Sequence, residues 1–218
     1  MQRGGLLSWP LRPLIWVGHT EGVTCISYSP DGCNIVSGSK GHTIRIWNAD
    51  TGSEISKPLE GHTDTVSSVA YSLNGRHIVS GSKDKTVRIW DAKIQSALGK
   101  PLVHDSPVLS VAWSPDGTRI ASGSDGKMIL WDVKTVSPLR IYQRFGVTCI
   151  AFSPDGHDIV SGCRDAIEIW DVENGSAVGK PLEGSGIIPE SEDGVRVIFF
   201  TCPRVVLSKR TVPSNPCY

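Results

Sequence analysis

A Trp-Asp or Trp-Asn pair returns four times in this 218-residue chain, at Trp47-Asn48, Trp90-Asp91, Trp131-Asp132 and Trp170-Asp171. The intervals are 43, 41 and 39 residues. A second marker keeps the same phase: Ser29-Pro30-Asp31-Gly32, Ser72-Leu73-Asn74-Gly75, Ser114-Pro115-Asp116-Gly117 and Ser153-Pro154-Asp155-Gly156. A third lies between them, from Ile35 to Gly38, Ile78 to Gly81, Ile120 to Gly123 and Ile159 to Gly162. Three markers in register make the chain an array of one repeating unit. A unit of this size cannot bury both of its apolar faces alone, so stacking on its neighbours must supply the core.

Each period reads as strands. In the second, Val66 to Tyr71 form a first strand, Asn74-Gly75 a hairpin turn, His77 to Ser80 a second strand, Thr86 to Trp90 a third and Ala97 to Leu102 a fourth. Asn-Gly and Asp-Gly suit the left-handed backbone of tight hairpins. Along the third strand, Val87 and Ile89 alternate with Thr86, Arg88 and Trp90, so the two sets point to opposite faces. Glycine (23) and proline (14) are spread along the chain, which suits many short strands better than long helices. The expectation is an all-β fold.

With Gly18-His19 and Gly61-His62 near the start of a period and Trp-Asp near its end, the chain resembles the WD40 family from residue 18 to about 183. The resemblance implies a WD40-type β-propeller with four recognisable four-stranded blades, at about 18–60, 61–102, 103–142 and 143–183. These would form a repeat domain over 14–183, between an N-terminal extension, 1–13, and a divergent tail, 184–218, that carries none of the markers. Within the tail, Val195 to Phe200 and Arg204 to Ser208 could pair as a degenerate blade, with Leu14 to Val17 as a spare outer strand. Propellers of the family usually have seven blades, so a partial or open propeller is expected. Three outcomes compete: closure on itself, an open arc whose raw edges meet another copy or another propeller-forming chain, or a fragment of a longer array. The near-identical wording of the repeats is similar to WD40 arrays of fungal multidomain proteins, including nucleotide-binding immune-type receptors.

The resemblance also implies a buried relay of histidine, aspartate, serine and tryptophan in each blade. The second repeat carries it in His62, Asp84, Ser80 and Trp90, and the third in His104, Asp125, Ser122 and Trp131. The first has His19, Ser37 and Trp47, but Gly41 stands in the aspartate's place. The fourth has Ser161, Asp165 and Trp170, but Gln143 replaces the histidine. Buried imidazole and indole N–H groups need partners, because an orphaned one costs about 1–3 kcal/mol. Histidine, aspartate and serine together also suggest a hydrolase triad. Their recurrence once per blade, aimed inward, argues for structure instead, and no catalytic residue is expected.

Function is then expected at the rim formed by the turns between fourth and first strands and between second and third strands. Candidate partner-binding residues there are Thr20, Glu21 and Lys40 from the first repeat, Asp64, Thr65 and Lys83 from the second, and Asp105 and Ser106 from the third. The expected role is a non-catalytic protein-protein interaction scaffold. The alternative is a truncated or detached ligand-recognition arm of a fungal nucleotide-binding immune-type receptor. Lys and Arg number 22 and Asp and Glu 22, so no global charge recruits nucleic acid or an anionic membrane. The six cysteines form no zinc-ligand spacing, and neither metal nor cofactor is expected. A reduced, intracellular set is expected, because Cys25 and Cys149 occupy the same repeat position. No apolar run approaches a membrane span, and prolines and arginines interrupt the apolar N-terminus before any signal-peptide core. The expected location is cytoplasmic or nuclear.

Overall fold

The computed structural model describes residues 15–144, 146–163, 166–179, 182 and 183. The extension 1–13, Leu14, Asp165 and the tail 184–218, with its expected strand pair, lie outside the described residues. Ile15, Trp16 and Val17 belong to no strand.

The described residues contain no helix and form four antiparallel sheets in chain order. The first holds β1 (Val23–Tyr28), β2 (Asn34–Ser39) and β3 (Ile44–Asn48). The second holds β4 (Val66–Tyr71), β5 (His77–Ser82), β6 (Thr86–Asp91) and β7 (Ser96–Val103). The third holds β8 (Val108–Trp113), β9 (Arg119–Ser124), β10 (Gly126–Asp132) and β11 (Ser137–Arg144). The fourth holds β12 (Cys149–Phe152), β13 (Asp158–Gly162), β14 (Ala166–Asp171) and the two-residue β15 (Leu182–Glu183). Every sheet is a meander in which sequence neighbours pair.

The first sheet departs from the four-stranded expectation. Where a fourth strand would run, only Glu54 and Leu59 bridge to Trp47 and Ile44. The second sheet passes the same stretch with a bulge between Val87 and Ile89, where Gly99 takes a φ of 69°. Glycine enters that left-handed region without a steric penalty. Ser56 stands at the equivalent place in the first sheet, ahead of the same Lys-Pro step, so the glycine that gives β7 its left-handed residue is missing there.

Two turns explain the sequence markers. In the first, Ser29 Oγ donates to Asp31 Oδ1 at 2.5 Å and accepts the Asn34 N–H at 2.8 Å, closing the β1–β2 connection. Ser114 and Asp116 repeat this bond in the third sheet. In the second, the residue after tryptophan caps the turn that follows: Asp91 Oδ1 accepts the N–H groups of Lys93 and Ile94, both at 2.8 Å. Asn48 and Asp171 do the same. These local side-chain to backbone bonds make the markers folding signals.

Stacking between consecutive sheets makes the core. Val36, Ile44, Ile46 and Leu59 of the first sheet pack with Val66, Val69, Ile78 and Trp90 of the second. Val79, Val87, Ile89 and Leu102 pack in turn with Val108, Val111, Trp113 and Ile120 of the third. Ala121, Met128, Leu130 and Tyr142 then pack with Val147, Ile150 and Ile159 of the fourth. In β6, Trp90 faces the first sheet while Val87 and Ile89 face the third, so both faces of one strand are buried. The first strands of successive sheets adjoin: Ser67 Oγ donates to the Val108 carbonyl, and Ser68 Oγ and Ser110 Oγ accept the Val111 and Ile150 N–H groups at 3.2 and 3.0 Å. The assembly is an open propeller, with no closed sheet among the described residues.

Among the described residues Cys25, Cys149 and Cys163 are free thiols, and burial pushes the Cys25 thiol up to about 11. Cys25 packs against Val66 between the first two sheets.

Candidate functional site: the histidine relays and the rim

The strand pairing brings a histidine, a second-strand serine and a third-strand tryptophan together in each of the first three sheets. In the second, Ser80 lies between two groups: His62 Nε2 is 2.7 Å from its Oγ, and Trp90 Nε1 donates to the same oxygen at 2.8 Å. His62 Nδ1 is 2.8 Å from Asp84 Oδ2. Asp84 also accepts the N–H groups of Thr63 (3.0 Å) and Thr86 (2.9 Å) and the Thr86 hydroxyl (2.6 Å). Burial alone would lift the Asp84 carboxyl, but the bonds from Thr86, His62 and Thr63 outweigh it and leave it below the usual range. Burial lowers His62, against the opposing pull of Asp84.

The first sheet builds the same centre without a carboxylate. His19 Nε2 is 2.7 Å from Ser37 Oγ, which also accepts Trp47 Nε1 at 2.7 Å. His19 Nδ1 turns to Thr43 Oγ1 at 3.2 Å, since Gly41 offers nothing. Thr43 matches Thr86 of the second sheet in register, a signal visible in the repeat but not used by sequence reasoning.

In the third sheet the structure keeps Ser122 between His104 Nε2 (2.7 Å) and Trp131 Nε1 (2.7 Å), but does not bring Asp125 to the histidine. His104 Nδ1 meets Ser124 Oγ at 3.1 Å, while Asp125 accepts the Gly146 N–H at 3.1 Å. The connection from serine to tryptophan is one residue shorter here, Ser124 to Trp131 against Ser82 to Trp90. That deletion carries the aspartate out of register. With no carboxylate bonded to its ring, His104 is pushed down to about 4, by burial first and by Lys127 second, against a smaller opposing pull from Asp105.

The fourth sheet has Trp170 Nε1 on Ser161 Oγ at 3.0 Å but no imidazole. Gln143 is exposed. Tyr142 packs edge-on against Trp170, with ring centroids 5.3 Å apart, and Arg144 pairs with the buried Glu168 at 2.5 Å. Asp165, assigned to this relay from the sequence, lies outside the described residues.

The eight rim candidates fall on paired turns. In the first sheet the Lys40 N–H donates to the Gly22 carbonyl and Ser39 Oγ to the Glu21 carbonyl, placing Lys40 beside Thr20 and Glu21. The second sheet repeats this with Lys83 on Thr65 and Ser82 on Asp64. Thr20, Glu21, Lys40, Asp64, Lys83 and Asp105 are exposed, and Thr65 and Ser106 half-buried. In the third sheet Asp105 pairs with Lys127 at 2.5 Å, a lysine not singled out from the sequence. Lys127 and Lys85 hold the Asp105 carboxyl below its usual range, the bond from Lys127 being the largest cause.

The relays tie their polar atoms into the protein and leave the charged turns facing solvent. Such a molecule is a repeat platform whose variable surface is its loops. The WD domain, G-beta repeat family matches residues 12–48, 53–91, 98–132 and 137–171, and the chain belongs to it. Over shorter stretches it is similar to Protein Mut11 of Chlamydomonas reinhardtii (41% identical over 39 residues), the Notchless protein homolog of Arabidopsis thaliana (50% over 34) and Protein groucho of Drosophila melanogaster (34% over 58). These stretches cover 18, 16 and 25% of this chain and 10, 7 and 8% of the relatives' lengths. Among the described residues no group of three or more His, Cys, Asp or Glu could hold a metal ion, and no helix is long and apolar enough to cross a membrane.

Proposed function

We propose that the chain is a non-catalytic WD40 scaffold that binds partner proteins through the rim of its first three sheets. The observation that carries this reading is that in each of the first three sheets a turn bearing a lysine adjoins one bearing an acidic residue: Lys40 beside Glu21, Lys83 beside Asp64 and, as an ion pair, Lys127 with Asp105. The serine that a hydrolase reading would make a nucleophile is buried in every sheet and shared with a tryptophan, which suits a packing role. Protein partners fit a surface of mixed charge on rigid turns better than nucleic acid does. The test is a photo-crosslinking residue at position 83, read in source-cell extract with and without the charge reversals Lys40→Glu and Asp64→Lys. A defined set of crosslinked proteins that the reversals remove is the expected result. Ester or phosphate turnover that survives the reversals and is abolished by Ser80→Ala would overturn the reading.

The near-identical wording of the first two repeats favours a second reading, a recognition arm of a fungal nucleotide-binding immune-type receptor. Adjacent coding sequence for a nucleotide-binding domain in the same transcript would select it.

A further inference from the structure

One device joins each pair of consecutive sheets. A second-strand glycine lies so close to the valine that opens the next sheet that a Cβ on it would stand 2.6 Å from the valine Cγ1: Gly38 with Val66, Gly81 with Val108, Gly123 with Val147. All three valines are fully buried. The two halves of a fourth such junction stand at opposite ends of the described chain. Gly162 meets, among the described residues, only Cys149 and Thr148 of its own sheet. Val23, which opens the first sheet, is 54% exposed.

The surroundings repeat the mismatch. On the leading face of the first sheet Ile26 is 65% exposed, while its equivalents Val69, Val111 and Ile150 are 6, 5 and 7% exposed. On the trailing face of the fourth sheet Ile167 is 41% exposed, where Ile44, Val87 and Met128 are 0, 0 and 1%. The trailing face also repeats a working seat: Cys149, Gly162 and Ile167 stand where Cys25, Gly38 and Ile44 already receive Val66.

We propose that the trailing face of the fourth sheet receives the leading face of the first sheet of a second copy of this chain, and that the reciprocal junction closes a two-fold ring of eight sheets. The occupant is a second copy because the two unpaired faces are opposite halves of one interface, already formed three times within the chain. A head-to-tail interface either closes or propagates. Two copies of the four described sheets reach the upper end of the ~4–8 blades typical of propellers. Closure removes from water the apolar faces that carry the exposed Val23, Ile26 and Ile167.

The test is light scattering during size exclusion of the full chain over a concentration series, with Ile26→Asp, Ile167→Asp and their equimolar mixture. The expected wild-type mass is twice the 23.5 kDa of the chain. Each variant is expected to weaken self-association at least tenfold and run as a monomer, and the mixture to recover dimer through its one intact junction. Both side chains are already exposed in the single chain, so near-wild-type circular dichroism is expected for both variants. The rim reversals Lys40→Glu and Asp64→Lys are expected to leave the mass unchanged, which separates this proposal from the rim reading. A wild-type monomer at every concentration would overturn the proposal. In that monomer, amide-exchange protection of Val23–Tyr28 would assign the face to the chain's own residues beyond 183. A dimer that resists Ile167→Asp would overturn it too, since it would be a face-to-face contact, and a ladder of larger species would overturn closure at two.

Discussion

Val23 and Val108 open equivalent strands, yet Val23 is 54% exposed and Val108 fully buried. The same contrast separates the outer faces of the first and fourth sheets from both faces of the second and third. Burial in a stacked array belongs to the neighbour as much as to the residue, because each sheet's apolar face is covered only by the next. The histidine centres show a related difference. The second sheet steadies its imidazole with Asp84, while the first and third use hydroxyls, from Thr43 and Ser124.

The largest expected effect breaks the contrast between valines. Val108→Asp puts a carboxylate into the junction of the second and third sheets and should cost at least about 4 kcal/mol. Val23→Asp should cost about 0.5 kcal/mol or less in the monomer. Urea unfolding of both variants at high dilution, followed by tryptophan fluorescence, measures the difference.

Next in size is the pH response of the third sheet. His104 titrates near 4 when folded and near 6.5 when unfolded, so the folded state binds fewer protons between these values. Its contribution is present above about pH 6.5 and is lost as pH falls towards 4, reaching about 3 kcal/mol. Urea midpoints from pH 7 to 4 should fall with that profile, and His104→Gln should flatten it. His62 is lowered by burial but opposed by Asp84, so His62→Gln should flatten the profile less.

Removing the shared serine compares a complete centre with a reduced one. Ser80→Ala orphans both the Trp90 N–H and one His62 nitrogen and should cost about 2 kcal/mol. Ser161→Ala leaves the Trp170 N–H unpaired and removes a weaker thiol contact to Cys163, and should cost about 1 kcal/mol. Equilibrium denaturation of the two variants gives the ratio.

The smallest effect is a gain. Gly41→Asp restores to the first sheet the carboxylate that Asp84 supplies in the second, and should add about 0.5 kcal/mol once the Thr20 hydroxyl, 2.7 Å from the new Cβ, gives way. A melting temperature above wild type checks it, and Gly41→Ala should give no gain.

Much of the architecture was legible in the sequence. The four-fold phase of Trp-Asp and Ser-Pro-Asp-Gly marked the sheets, and the first three strands of the second period fall where alternation put them, extended by at most two residues. The Ser80 and Trp90 pairing was legible too, because hairpin partners in adjacent strands of one period are set by local register. The turn-capping role of Asp91 and its equivalents was not drawn from the sequence, though its signal lies in the same Trp-Asp pair.

The sequence by itself determined the repeat, its strand order and which residues alternate towards the core, since hairpin pairing and turn chemistry act within one period of chain. Only the tertiary structure decided that Asp125 leaves His104 to Ser124 and that Thr43 stands in for a missing carboxylate. It alone also decided which of four near-identical valines go unburied. Those outcomes depend on a one-residue loop difference and on what stacks against each face, and both are settled between periods rather than within them.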